Sequence, residues 1–202
     1  MEVLKKYFSK YIGLILSLSS FILLPHCASN LNSAHFPSTE VIQIAHLIQD
    51  EVPLSTSLDS LEIAHEIVAI SKQYEMDPIL IISVIKVESQ FRPYAHSSAG
   101  ARGLMQIMPC VIKDYGKETA VTHVSELFYP QKNLRLGVHY LTYLMEKYSH
   151  HWDRAIAAYN WGPASIDQKL QNKIPLPKVY YKKVMDSYRY FQEKLTSSEN
   201  LS

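Results

Sequence analysis

A single acidic residue, Glu88, closes a long apolar stretch and is the first candidate for chemistry. Seven of the nine residues 79–87 are apolar, the exceptions being Ser83 and Lys86. A carboxylate at the end of such a run must be paired, desolvated or protonated. Burial and the negative end of a helix dipole both favour the neutral acid, which can donate a proton to a leaving oxygen. A structural interpretation, in which Glu88 bonds to backbone amides of the following turn, fits the periodicity equally well.

A glycine-punctuated segment, residues 99–109 (AGARGLMQIMP), follows Glu88 after a polar loop. Gly100 and Gly103 permit tight backbone turns and the close approach of a ligand to the main chain. Gln106 offers both a donor and an acceptor, which suits the amide and hydroxyl groups of a sugar. Met105 and Met108 are adaptable apolar walls or plain core residues, and the sequence does not separate the two.

Three motifs in this order resemble those of the soluble lytic transglycosylases: residues 88–91 (ESQF), residues 100–109 (GARGLMQIMP) and residues 157–162 (AAYNWG). The resemblance covers roughly residues 60–190. It implies a lysozyme-like fold with a substrate groove, and cleavage of the glycan strands of bacterial peptidoglycan. It implies no cofactor.

The resemblance also implies roles for individual residues. Glu88 would be the catalytic acid and base, and Tyr159 would orient Glu88 or the substrate unless it is only a packed aromatic ring. The implied substrate-binding residues are Ser97, Gln106, Met108, Tyr159, Asn160 and Tyr180. Near the C-terminus the family often shows Glu-Thr-x-x-Tyr-Val-x-Lys-Val, where this chain has residues 176–184 (LPKVYYKKV). Tyr180 matches the tyrosine, but the Glu-Thr pair is absent, so this wall of the groove is expected to differ.

The absence of a second acid in these motifs bears on the mechanism. Ordinary glycoside hydrolysis uses two carboxylates, and the nearest acids downstream of Glu88 are Asp114 and Glu118, beyond Pro109. The resemblance implies that Glu88 protonates the leaving oxygen and then deprotonates the C6 hydroxyl, which gives a 1,6-anhydro-muramic acid end; a single carboxylate is chemically consistent with this product. The alternatives are a hydrolytic muramidase helped by Asp114 or Glu118, and a non-catalytic peptidoglycan-binding module.

The elements that must hold these residues are predicted to be helices. Asp59 and Glu62 fit a capping box, so the folded domain is expected to begin near Asp59. Asp77 and Pro78 suit the N-cap and first position of the helix that ends near Glu88, and Pro93 ends it at the latest. Later helices are predicted over residues 133–148, 152–159 and 179–195. The fold class is therefore mainly α.

The N-terminus has the pattern of an export signal, with Lys5, Lys6 and Lys10 before residues 12–24, which are apolar apart from three serines. This run is short for a transmembrane helix, and a buried N-terminal helix is the lesser alternative. Residues 23–30 resemble a bacterial lipoprotein cleavage box around Cys27, although His26 departs from the expected small residue, and ordinary cleavage near Ala28 competes. The predicted divisions are residues 1–27 (signal), 28–58 (a tether with a short helix at 41–48), 59–195 (catalytic domain) and 196–202 (tail).

The amino-acid composition argues against nucleic-acid binding, a disulfide scaffold and a metal site. The formal net charge of +1 gives no broad basic field for nucleic acid. Two cysteines, Cys27 and Cys110, are too few for a disulfide scaffold; they could pair if Cys27 carries no lipid. The nine histidines are scattered, so no metal site is expected. We expect an exported protein of the periplasm or cell envelope, with peptidoglycan strands as partner and membrane anchoring through the N-terminus or a lipid on Cys27.

Overall fold

The computed structural model describes residues 37–199. Over this range the chain forms eight α-helices and one 3-10 helix, and its only extended pairings are two isolated bridges, His96–Arg102 and Arg102–Ile107. The prediction of a mainly helical fold is confirmed. The helices are α1 (Thr39–Gln49), α2 (Ser60–Gln73), α3 (Pro78–Ser89), α4 (Val111–Tyr115), the 3-10 helix (Val124–Phe128), α5 (Pro130–Lys147), α6 (Trp152–Trp161), α7 (Pro163–Gln171) and α8 (Val179–Glu199).

The two predicted aspartate caps form as the sequence indicates. The Asp59 carboxylate accepts hydrogen bonds from the amides of Leu61 and Glu62 at 3.0 and 3.1 Å, and α2 begins at the next residue. The Asp77 carboxylate accepts from the amide of Ile79 at 2.7 Å, with Pro at the first position of α3. Such caps satisfy amides that the first helical turn leaves without partners. The side chain of Glu62, expected to complete a capping box, instead accepts a hydrogen bond from Gln131 on α5.

Helix α3 is the central helix, since α1, α2 and α8 all pack against it. Seven consecutive residues, from Ile79 to Ile85, are buried, as expected for a helix without a polar face. The helix ends before Pro93 because Gln90 and Phe91 both adopt left-handed backbone conformations (φ +52° and +58°). The fully buried ring of Phe91 anchors this turn. Glu88 is thereby held in the last turn of a fixed helix.

Helix α1 belongs to the folded unit. It buries apolar residues at helical spacing, including Val41, Ile44 and Ile48, against α2, with further contacts to α3 and α8. The compact unit begins at Pro37, earlier than the boundary near Asp59 that the capping box indicated. The predicted short helix is present, but it packs in the core because its apolar stripe is covered on three sides.

Gly162 and Pro163 separate α6 from α7. Gly162 (φ +78°) ends α6 two residues after the predicted end at 159, and Pro163 then occupies the first position of α7, a helix that the sequence interpretation did not include. Helix α5 likewise begins at Pro130, three residues before the predicted start. The contacts α5–α6, α6–α7 and α6–α8 join the helices of the second half of the chain, and α8 in turn packs against α3.

Candidate active site

The Glu88 carboxylate is half-buried and is bonded by one phenol. The Tyr180 hydroxyl, on α8, donates a hydrogen bond of 2.5 Å to Oε1 of Glu88. Burial raises the pKa of Glu88 from its ordinary value of 4.5 to about 7, although the hydrogen bond from Tyr180 acts in the opposite direction. Desolvation therefore outweighs the charge-stabilising bond. Near neutral pH this group is present as both acid and carboxylate.

Glu88 opens into a cleft of about 460 Å³. The residues that line it are Ser55, Thr56, Ser57, Glu88, Arg92, Pro93, Tyr94, Ala95, His96 and Gln106. Within the described part of the chain, Glu88 is the one carboxylate of this lining. The other polar groups are hydroxyls, an amide, an imidazole and a guanidinium, a set that can bind a polar polymer by hydrogen bonds.

The glycine-punctuated segment forms a tight loop beside Glu88. Gly103 has φ +79°, and its amide donates to the carbonyl of Ala95 at 2.9 Å. A Cβ at this position would lie 2.2 Å from the carbonyl oxygen of Leu127 and 2.3 Å from Nδ2 of Asn133, so only glycine fits. At Gly100 (φ +94°) a Cβ would meet nothing within 4 Å, so there the backbone conformation alone favours glycine.

Asn133 is a site residue whose role the sequence interpretation missed. Its side chain is fully buried on α5; Oδ1 accepts from the amide of Met105 at 2.8 Å, and Nδ2 donates to the carbonyls of Arg102 and Leu127, both at 2.8 Å. These bonds fasten the loop to α5. The signal in the sequence was a polar amide at the start of an apolar helical stripe, but two of its three partners, Met105 and Arg102, lie 28 and 31 residues away.

Gln106 and Ser97, both predicted to bind substrate, also hold this loop together. Nε2 of Gln106 donates to the carbonyls of Ala95 and Gly103, each at 3.0 Å, while the residue lines the cleft. Its backbone is left-handed, with φ +48°. Oγ of Ser97 accepts from the amide of Ala101 at 3.0 Å, and Ser97 does not line the cleft around Glu88.

Two tyrosines, the buried Tyr180 and the partly buried Tyr159, lie close to Glu88, but only one bonds to it. The Tyr159 hydroxyl donates to the carbonyl of Met105 at 2.9 Å, and burial raises the pKa of this phenol well above its ordinary value. The phenol that contacts Glu88 is Tyr180, a position that the sequence suggested only as part of a groove wall. Tyr159 therefore supports the loop that carries Gln106, and Tyr180 supports the carboxyl.

The family assignment follows from a match that includes this whole segment. Residues 66–179 match the family model described as "Transglycosylase SLT domain", which is more than half of the chain. The chain belongs to the transglycosylase SLT domain family.

The chain is similar to known lytic transglycosylases in sequence and in fold. The membrane-bound lytic murein transglycosylase C of Histophilus somni is 33% identical over 114 residues, which are 50% of this chain and 31% of the relative. The chain thus spans about a third of that relative's length. The 70 kDa soluble lytic transglycosylase of Escherichia coli has the same fold (TM-score 0.60, 24% identity, 65% of this chain and 24% of that one). An inactive Glu-to-Gln mutant of lytic transglycosylase Slt from Pseudomonas aeruginosa also matches (TM-score 0.51, 25% identity, 76% of this chain and 28% of that one).

The other predicted residues lie outside the SLT cleft or outside the described range. Met108 and Asn160 are exposed, and neither lines the cleft around Glu88. Cys110 is an exposed free thiol next to α4. The predicted signal and Cys27 fall outside residues 37–199. Within that range, no group of three or more His, Cys, Asp or Glu residues could hold a metal ion.

Proposed function

We propose that this chain is a peptidoglycan lytic transglycosylase that cleaves the β-1,4 bond between N-acetylmuramic acid and N-acetylglucosamine without water. The observation that carries the proposal is the state of Glu88: one carboxyl group in a polar cleft, with a pKa of about 7. A group that is half protonated near neutral pH can act first as an acid and then as a base. Membership of the SLT family and the relatives named lytic murein transglycosylases give the substrate class.

The proton of Glu88 returns to it at the end of the reaction. Glu88 as the neutral acid donates its proton to the glycosidic oxygen as the bond from this oxygen to C1 of the muramic acid breaks. The substrate's own acetamido group or fixed dipoles stabilise the oxocarbenium-like ring. The Glu88 carboxylate then takes the proton of the C6 hydroxyl, and O6 bonds to C1. The product is a 1,6-anhydro end, and no water is consumed.

Tyr180 and Tyr159 have different parts in this mechanism. The Tyr180 hydroxyl stays on Oε1 of Glu88 and stabilises the carboxylate between the two proton transfers. Tyr159, bonded to the carbonyl of Met105, keeps the Gln106 loop against the substrate. Tyr159 is a positioning residue in this account.

A hydrolytic mechanism lacks support because the candidate helpers stand apart. Asp114 and Glu118 are both exposed, and neither lines the cleft. Hydrolysis with two carboxylates needs them roughly 5 to 9.5 Å apart across the scissile bond. Conversion of Asp114 to Asn and Glu118 to Gln should leave the rate unchanged.

Mass spectrometry of digested peptidoglycan in H₂¹⁸O tests the proposal. Wild-type protein should release muropeptides one water lighter than hydrolytic products, with no ¹⁸O incorporated, and Glu88→Gln should release none while still binding glycan. Products that carry ¹⁸O at the reducing end would contradict it and indicate a muramidase. Absence of any product from folded wild-type protein would indicate a binding module.

We also propose that the protein acts in the cell envelope after export. The support is the charged and apolar pattern of residues 1–24 and the relatives described as membrane-bound. Whether a lipid on Cys27 anchors it is testable by labelling with a radioactive fatty acid, which Cys27→Ser should abolish. In residues 37–199, no helix combines the length and apolar character needed to cross a membrane.

A further inference from the structure

The loop between α1 and α2, residues 50–58, forms one wall of the Glu88 cleft. Ser55, Thr56 and Ser57 line the cleft together with Arg92 and His96. This loop precedes the stretch that matches the SLT family, residues 66–179. The wall is therefore supplied by a part of the chain that the family pattern does not include.

The loop is fixed to the two helices that carry the catalytic groups. Oε2 of Glu51 accepts from Nζ of Lys86 at 2.8 Å, and Oε1 of Glu51 accepts from the Tyr190 hydroxyl at 2.5 Å. Lys86 lies on α3, two residues before Glu88, and Tyr190 lies on α8, as Tyr180 does. The loop's own turn is closed by the amide of Thr56, which donates to the carbonyl of Pro53 at 2.8 Å.

Arg92 contributes a cation to the lining of the same cleft. Its Nε donates to the carbonyl of Ser89 at 2.9 Å, which fixes the direction of the side chain. Among residues 37–199, no carboxylate forms a salt bridge or hydrogen bond with the terminal nitrogens of this exposed guanidinium. A guanidinium beside hydroxyl donors is suited to a carboxylate, which accepts from both.

We propose that Arg92 and the hydroxyls of residues 55–57 form a subsite for a carboxylate on the side arm of the muramic acid ring. This inference rests on the proposed function for the identity of the polymer. Of the two sugars in peptidoglycan, only muramic acid carries a lactyl ether. Its carboxyl group is either free or extended by a peptide that bears carboxylates of its own. The subsite thus distinguishes muramic acid from N-acetylglucosamine next to Glu88 and fixes the register of the strand.

Binding measurements in the Glu88→Gln background test the subsite without turnover. Calorimetry would compare three tetrasaccharides: neutral chitin, peptide-free peptidoglycan with free lactyl carboxylates, and peptidoglycan with its peptides. We expect at least one of the two carboxylate ligands to bind roughly tenfold more tightly than chitin, as a charge-assisted hydrogen bond gives. Preference for the peptide-free ligand assigns the lactyl group, and preference for the other assigns the peptide; either supports the subsite.

Charge-matched variants supply the decisive control. Arg92→Gln should abolish the preference and leave chitin affinity within roughly twofold, since the neutral sugar does not need the cation. Arg92→Lys should restore part of the preference, and alanine at residues 55–57 should weaken it. Lys117→Gln removes an exposed cation that does not line the cleft and should change nothing.

Two results would overturn the subsite: equal affinity for chitin and both carboxylate ligands, or a preference that survives Arg92→Gln. Neither depends on catalysis, because Glu88 is replaced throughout. Failure of the proposed function would appear separately, as missing anhydro products from the wild-type protein.

Discussion

Removal of the Tyr180 hydroxyl should shift the pH dependence of the reaction without dismantling the site. Tyr180→Phe keeps the buried ring, which is only 8% exposed, and deletes the donor on Oε1 of Glu88. This donor lowers the pKa of Glu88, against the larger raising effect of burial. The pKa of Glu88 should therefore rise above its wild-type value of about 7.

The size of the shift follows from the difference between two hydrogen bonds. A hydrogen bond to a charged group contributes about 1.5–3 kcal/mol, and one between neutral groups about 0.5–1.5 kcal/mol. Tyr180 can bond to both forms of Glu88, so only the difference of about 1 kcal/mol or slightly more acts on the equilibrium. This corresponds to about one pH unit.

The assay is kcat/KM for release of soluble muropeptides, measured from about two pH units below to two above the Glu88 pKa of about 7. Since the first step needs the neutral acid, the rate falls as pH rises through this pKa, and in Tyr180→Phe this basic limb should lie about one pH unit higher. Tyr159→Phe is the matched control. The Tyr159 hydroxyl bonds to the carbonyl of Met105 and not to Glu88, so the basic limb of this variant's pH profile should stay in place even if kcat/KM falls. A Tyr180→Phe limb that is unmoved, or moved to lower pH, would refute the reasoning.

The remaining predictions concern stability. The folded protein binds the Glu88 proton more tightly than the unfolded chain, so Glu88 makes the protein less stable as pH rises from about 4.5 to about 7. In urea denaturation, Glu88→Gln should match the wild type near pH 4.5 and exceed it at pH 8 by up to about 3 kcal/mol; an equal difference at both pH values would contradict this. Gly103→Ala should lower the free energy of unfolding by about 2 kcal/mol more than Gly100→Ala, because both positions have positive φ but only Gly103 would clash with Leu127 and Asn133. If the two substitutions lower the stability equally in thermal denaturation, the loop accommodates the Cβ at residue 103 without an energetic cost, and this prediction is wrong.

Local signals in the sequence were sufficient for most of the helices. Asp59 and Asp77 predicted the starts of α2 and α3 because a cap depends on residues two or three positions away. The apolar run before Glu88 predicted a buried helix with the acid in its last turn, and the structure confirms this placement.

The long-range contacts that complete the site could not be predicted from local sequence patterns. The bond from Tyr180 to Glu88 spans 92 positions of the chain, and the ion pair between Lys86 and Glu51 spans 35. No local pattern encodes such partners, because they meet only when α1, α3 and α8 pack together. For the same reason the sequence predicts residues 50–58 only as part of a tether, whereas residues 55–57 line the cleft.

The Glu88 carboxyl itself can be titrated most directly by NMR, with ¹³C-labelled glutamate and with Glu88→Gln to assign the resonance. The free protein should show a midpoint near pH 7, well above the ordinary value of 4.5. A midpoint at or below 4.5 would mean that Glu88 is ionised under working conditions, and that it is not the proton donor.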